Sequence, residues 1–169
     1  ERVLITPTPF GATDRRPLDH LKSAGIEPVL NHLGRKPTEV EMIGLLTDVD
    51  AVIAGTEPLS ASVLDAAPRL RLIARIGVDL DNIDLLAAHK RGIRVCHTPD
   101  APIPAVVEMT ISLILSTLRG THVSNLRMHE GQWHRVMGRS LGESVVGILG
   151  VGRIGREVLT SLLRMRPKK

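Results

Sequence analysis

The chain has 169 residues, 43% of them apolar, and 22 basic against 18 acidic side chains give a formal net charge of +4. That length suits one or two small domains with a genuine core. One Phe, one Trp and no Tyr leave almost no aromatic face on which single-stranded nucleic acid could stack. The one basic cluster, Arg164, Arg166, Lys168 and Lys169, reads as a solvated terminus, so no nucleic-acid partner is expected.

Strand and helix patterns alternate from the start. Val3-Leu4-Ile5 reads as a strand, and Leu18 to Ala24 as a helix closed by Gly25, glycine being favoured just past a helix end. Pro28-Val29-Leu30 reads as a second strand. Thr38 followed by Glu41 makes a capping box for a helix to Leu46, with Val40, Ile43 and Leu46 as its apolar face. Ala51 to Ala54 is a third strand, Ser60 caps a short helix to Ala66, and Leu72-Ile73-Ala74 is a fourth strand. Asp84 caps Leu85 to Arg91, Gly92 ends it, and Ile93 to Cys96 is a fifth strand. Five short apolar strands joined by helices predict a doubly wound parallel α/β sheet covered on both faces, over about residues 1–97. Cys96, the only cysteine, permits no internal disulfide and is expected as a small buried hydrophobe, in keeping with an intracellular setting.

Thr98-Pro99 and Pro102 break the rhythm and read as a linker. Residues 103–118 then form a long helix, apolar on most sides through Val106, Val107, Ile111, Ile114, Leu115 and Leu118. Such a helix is expected in a subunit contact, making a homodimer the expected assembly. It is too short for a membrane span and contains Glu108, Ser112 and Ser116. Residues 1–10 lack the apolar region of a signal peptide, so no membrane partner and a cytoplasmic location are expected. Thr121 to Glu130 reads as a second helix, and Trp133 as a packing anchor.

A strand at 144–149 then leads into Gly150-Val151-Gly152-Arg153-Ile154-Gly155 and an amphipathic helix carrying Val158, Leu159, Leu162 and Leu163. Strand, G-x-G-x-x-G and helix form the first turn of a dinucleotide-binding βαβ unit. Gly150 serves the tight turn, Gly152 the approach of a pyrophosphate, and Gly155 the packing of helix on strand. The helix start presents free N–H groups to phosphate. Only 14 residues follow Gly155. The acidic residue that reads the ribose is expected about 20 residues past the glycines, at or beyond Lys169, so NADP stays an alternative to NAD. Residues 98–169 are thus expected to be the beginning of a Rossmann domain.

The order of motifs resembles the D-isomer-specific 2-hydroxyacid dehydrogenases, the family that includes D-3-phosphoglycerate dehydrogenase. The match is carried by Arg75-Ile76-Gly77-Val78-Asp79-Leu80-Asp81-Asn82-Ile83-Asp84, by Thr98-Pro99, by Val107-Glu108-Met109-Thr110, and by Gly131-Gln132-Trp133 leading into Gly147 to Gly155. The resemblance implies a flavodoxin-like lobe holding part of the substrate site and a Rossmann lobe binding NAD. It places Arg75, Ile76, Gly77 and Val78 at the substrate, with their amides facing its carboxylate as an anion nest. Val78 and Thr110 fall near the nicotinamide, and Arg153 and Ile154 against the pyrophosphate.

Two departures stand out. Asp79 replaces the second glycine of the family's Gly-x-Gly loop, and a carboxylate there repels an anionic substrate unless it points away. The family's catalytic Arg, Glu and His all lie downstream of Gly155, so no catalytic residue is assigned. None of the seven histidines sits in a metal-binding spacing. The implied function is NAD-dependent interconversion of a 2-hydroxy acid and a 2-keto acid, with these 169 residues alone expected to be inactive. The alternative is a non-catalytic anion- or nucleotide-binding or dimerisation module.

Overall fold

A computed structural model describes residues 1–169. The chain divides into two compact units, Glu1–Pro99 and Asp100–Lys169.

The first unit is a five-stranded parallel sheet. Its strands are β1 (Arg2–Ile5), β2 (Glu27–Leu30), β3 (Ala51–Ala54), β4 (Leu72–Arg75) and β5 (Arg94–His97), in the order β2-β1-β3-β4-β5. The register runs Leu4↔Val52, Val52↔Ile73 and Ile73↔Val95. This is the doubly wound, flavodoxin-like order. The connecting helices are α1 (Arg16–Ser23), α2 (Glu39–Leu45), α3 (Ala61–Asp65) and α4 (Leu85–Lys90). α1 starts two residues ahead of its predicted start because Pro17, with its fixed φ, suits a first helical turn. The three predicted caps hold. Thr38 N–H donates to Glu41 Oε2 at 2.8 Å and Glu41 N–H to Thr38 Oγ1 at 3.4 Å. Ser60 accepts from Val63 N–H, and Asp84 from Ala87 N–H at 2.9 Å.

One sheet face packs Leu4, Val52 and Ile73 against Met42, Val63, Leu64 and Ala88 of α2, α3 and α4 and against Leu46 just past α2, all at most 1% exposed. The other face is covered by α1 alone, through Leu18 with Val3 and Ile5. Within this unit, helices thus lie on both faces as expected, with α1 covering the β1–β3 side of the second one. Val95 turns to the helix-covered core, so Cys96, its neighbour, turns to the side that no helix covers at β5, and it is exposed. It is not the buried hydrophobe expected from its strand.

Charged side chains fasten the amino end of the sheet. Asp50 accepts from Arg2 N–H at 2.8 Å and pairs with Arg69 at 3.0 Å, and these donors hold its carboxyl below the usual range. Arg35 and the Thr38 cap hold Glu41 down to about 2.

The second unit contains α5 (Ile103–Arg119), α6 (Thr121–His129), a 3-10 turn at Leu141–Glu143, and α7 (Arg153–Arg164). α5 and α7 bury Val107, Leu141, Val158 and Leu162, with Ile111, Ile114 and Leu118 packed against them. The predicted strand at 144–149 does not form. No other strand lies in its unit, and a strand needs a neighbour's N–H and C=O groups. Its main chain bonds instead to the chain's last residues, Val146 N–H to Lys169 O at 3.1 Å and Lys168 N–H to Ser144 O at 3.0 Å. Trp133 is 85% exposed and anchors nothing. No single helix is long and apolar enough to cross a membrane.

Candidate functional site

The predicted site residues fall into two groups, one in each unit. In the first unit, β4 ends in Arg75 and the chain turns through Ile76, Gly77 and Val78. Flanking strands consume the first amides of this turn. Ile76 N–H donates to Ala54 O at 2.8 Å, and Gly77 N–H to Thr98 Oγ1 at 2.7 Å. The expected row of free amides is thus reduced, and the cation of this turn is the Arg75 guanidinium. That guanidinium donates to the Ile76 carbonyl, while its buried Nε has no partner. Gly77 has φ +140°, and a Cβ there would overlap the Arg75 guanidinium. The positive φ favours glycine there, whereas the flexible Arg75 side chain has room to swing aside. The Val78 carbonyl lies 2.8 Å from His97 Nδ1, which must therefore carry the proton. Asp79 is exposed.

In the second unit, Gly150, Ile154 and Gly155 line one hollow of about 380 Å³ together with Thr110, Ile114 and Val158. Thr110 Oγ1 donates to Val106 O at 2.7 Å, which fixes its rotamer. Gly150 has φ +91°, a left-handed turn that favours glycine. A Cβ on Gly155 would overlap the Gly150 carbonyl, so the turn and the helix start pack as a unit only with glycine there. Gly152 differs. It caps α7 with ordinary extended backbone (φ −76°), no side chain caps the helix, and a Cβ on it would meet nothing within 4 Å. Nothing in the protein demands glycine at 152.

A larger hollow of about 490 Å³ in the same unit is lined by Asp100, Glu108 and Glu157 over Ile103 and Val107. Its carboxylates make it a poor place for phosphates, so chemistry favours the glycine turn. No group of three or more His, Cys, Asp or Glu side chains is placed to hold a metal ion.

The sequence pattern of the D-isomer-specific 2-hydroxyacid dehydrogenase catalytic domain matches residues 4–165. The chain belongs to that family. It is 38% identical to a D-3-phosphoglycerate dehydrogenase of Sus scrofa over 125 residues, 72% of this chain and 24% of that protein. A hydroxypyruvate reductase of Thermotoga maritima is 34% identical over 121 residues, 70% of this chain and 40% of that protein. The crystal structure of a Thermus thermophilus protein superposes with a TM-score of 0.82 at 30% identity, covering 98% of this chain and 53% of that one. The chain thus spans well under two thirds of the proteins it matches.

Glu57 escaped the sequence reading. It follows β3, is 2% exposed, and through Oε1 accepts the Thr6 hydroxyl and Gly55 N–H, the latter at 2.9 Å. Asn82 Nδ2 clips the same loop by donating to Glu57 O at 2.7 Å. The available signal was a carboxylate after an apolar strand and before Pro58. Its place beside Thr6 becomes visible only once β1 and β3 are known to be neighbours.

Proposed function

We propose that this chain carries the substrate-side unit and the first nucleotide-binding turn of an NAD-dependent oxidoreductase acting on a 2-hydroxy acid and its 2-keto acid. Family membership supplies the reaction class, and Gly152 carries the nucleotide part. A glycine with free space around its missing side chain, at the start of an uncapped twelve-residue helix, fits a ligand that must approach the main chain. The N–H groups of Arg153, Ile154 and Gly155 and the positive end of α7 suit a pyrophosphate. Gly150 and Gly155 fix the turn that presents them.

NAD, when bound, supplies the hydride chemistry, and the protein supplies orientation and charge. On the substrate side, the Arg75 guanidinium and the Val78 N–H are the donors offered to a carboxylate. Thr98 holds Gly77 in place, so the loop is set before substrate arrives. No histidine is assigned as proton donor. Relatives named for 3-phosphoglycerate and hydroxypyruvate frame the substrate as a small 2-hydroxy or 2-keto acid.

A homodimer through the helix at 103–118 is part of the same reading. Val107, Ile111, Ile114 and Leu118 turn to the unit's own core. These four, expected in the subunit contact, are not free for it; Val106, Met109 and Leu113, 39%, 60% and 60% exposed on one stripe, are the surface left for one.

The test is NADH titration of the full chain followed by fluorescence. Weak binding is expected in the wild type and none in Gly152→Val. Equal affinity in the two overturns the assignment of the phosphate site.

A further inference from the structure

The loop after β4 is held from the end of β5. Thr98 N–H donates to the Gly77 carbonyl at 3.1 Å, Gly77 N–H donates to Thr98 Oγ1 at 2.7 Å, and His97 Nδ1 lies 2.8 Å from the Val78 carbonyl. Arg75 and His97 are paired in register, so the loop leaves β4 beside the residues that hold it. Each held carbonyl fixes the plane of its peptide. In a trans peptide the C=O and the N–H of the next residue point opposite ways, and no peptide bond in this chain is cis. With the Gly77 and Val78 carbonyls both turned to β5, the Val78 and Asp79 N–H groups both turn away from it. Neither has an acceptor in the protein. Two successive free N–H groups on one side of the chain suit an anion, and the Arg75 guanidinium packs against Gly77 in the same turn.

The two clamps are unequal. The Gly77 carbonyl is held by a main-chain donor, whereas the Val78 carbonyl depends on one side chain, that of His97. Without it the peptide between Val78 and Asp79 is free to turn over. Asp79 keeps an ordinary negative φ, but aspartate tolerates positive φ better than most residues do, so the backbone itself opposes that flip weakly. A flipped peptide presents its carbonyl where the N–H had been, and an attraction for an anion becomes a repulsion.

We infer that His97 is a positioning residue, which by holding the Val78 carbonyl aims the Asp79 N–H at the substrate carboxylate, next to the Val78 N–H that Thr98 aims in the same way. The inference rests on the 2-hydroxy acid reading above. It also gives residue 79 a part that an aspartate can play. The main chain of Asp79 binds the acid, while its side chain is exposed, where water and salt screen its charge. His97 itself touches no substrate atom and transfers no proton.

The experiment follows backbone amide shifts of the full ¹⁵N-labelled chain titrated with D-glycerate, in the wild type, His97→Ala and His97→Asn. His97 is exposed on an edge strand, so neither substitution removes core packing. D-glycerate is expected to move the Val78 and Asp79 amides of the wild type. In His97→Ala it is expected to bind about tenfold more weakly, the worth of one hydrogen bond to a charged group. In His97→Asn the affinity is expected to return to within about twofold of the wild type, because the Asn Nδ2 donor sits one bond beyond Cγ, as His Nδ1 does. A long-range ¹⁵N spectrum of the unliganded wild type is expected to show the His97 ring protonated on Nδ1. If His97→Ala does not fold, that spectrum and the Asn variant decide. Unaltered affinity in His97→Ala, binding to His97→Asn as weak as to His97→Ala, or a ring protonated on Nε2 alone overturns the role of His97 and, while the Val78 shift persists, leaves the acid reading standing. No shift at residues 75–79 of the wild type overturns the acid reading itself and this inference with it.

Discussion

Leu4, Val52 and Ile73 are sealed between the sheet and three helices, in a cluster of 15 buried residues. In the 100–169 unit, two long helices of comparable apolar content bury only Val107, Leu141, Val158 and Leu162. Leu113, Leu149 and Leu163 there are 60%, 105% and 63% exposed. Helix patterning is equally clear in both. What differs is the sheet: in the first unit each helix has strands to cover, whereas in the second α5 and α7 have only each other, Leu141 of the 3-10 turn and the irregular 144–149 segment. An amphipathic pattern states which face wants cover, and the available partners decide whether it gets it.

The sharpest way to break this contrast is Ile73→Ala. Ile73 is fully buried in β4, between β3 and β5, so a loss of about 3 kcal/mol is expected in urea denaturation. Val158→Ala removes less volume from a smaller core and is expected to cost about 1–2 kcal/mol. Equal losses would show that the two cores are equally well formed.

The two glycines of the turn sharpen it next. Gly155→Ala forces a methyl against the Gly150 carbonyl and is expected to destabilise the second unit by about 1–3 kcal/mol. The first unit is expected to be unmoved, as read by hydrogen exchange. Thr38→Ala acts the other way, costing about 1 kcal/mol in the first unit by removing the cap of α2.

The pH dependence follows from Glu41 and Asp50. Both are held below their ordinary carboxylate values in the folded chain. Their contribution is therefore fully present above the unfolded values, near pH 4–5, and is lost as pH falls through the folded ones, near 2 for Glu41. Urea midpoints for the first unit are expected to fall between pH 5 and pH 2 and to fall less in Glu41→Gln. The Glu41 carboxylate is partly exposed, so salt weakens its share of the effect.

Leu113→Glu probes the exposed stripe of α5 without touching the α7 contact. Sedimentation is expected to show a monomer with unchanged helix content. An unchanged sedimentation coefficient would remove the dimer reading.

Much of this was legible in the sequence. Periodicity and caps at Thr38, Ser60 and Asp84 located the elements of the first unit to within a residue or two, because local hydrogen bonds set helix starts. Strand order was implied only through the family resemblance. The failures share one cause. Cys96, Trp133 and the segment 144–149 have apolar or strand-forming local sequences, yet burial and pairing depend on neighbours that local sequence does not report. The substrate loop was placed correctly at the end of β4, but its amides were expected to be free. The ladder with β3 and the hydroxyl of Thr98 consume two of them, and both partners are distant in the chain. The same distance hid Glu57, whose partner Thr6 is far away along the chain.

The nucleotide site rests on Gly152, and NADH titration of Gly152→Val beside the wild-type chain tests it most directly, with thermal melting recorded on the same samples. The melt is expected to change little, because a side chain at 152 meets no protein atom within 4 Å, while NADH binding disappears. Retained affinity in Gly152→Val, or binding lost only together with the fold, would contradict a phosphate site at the start of α7.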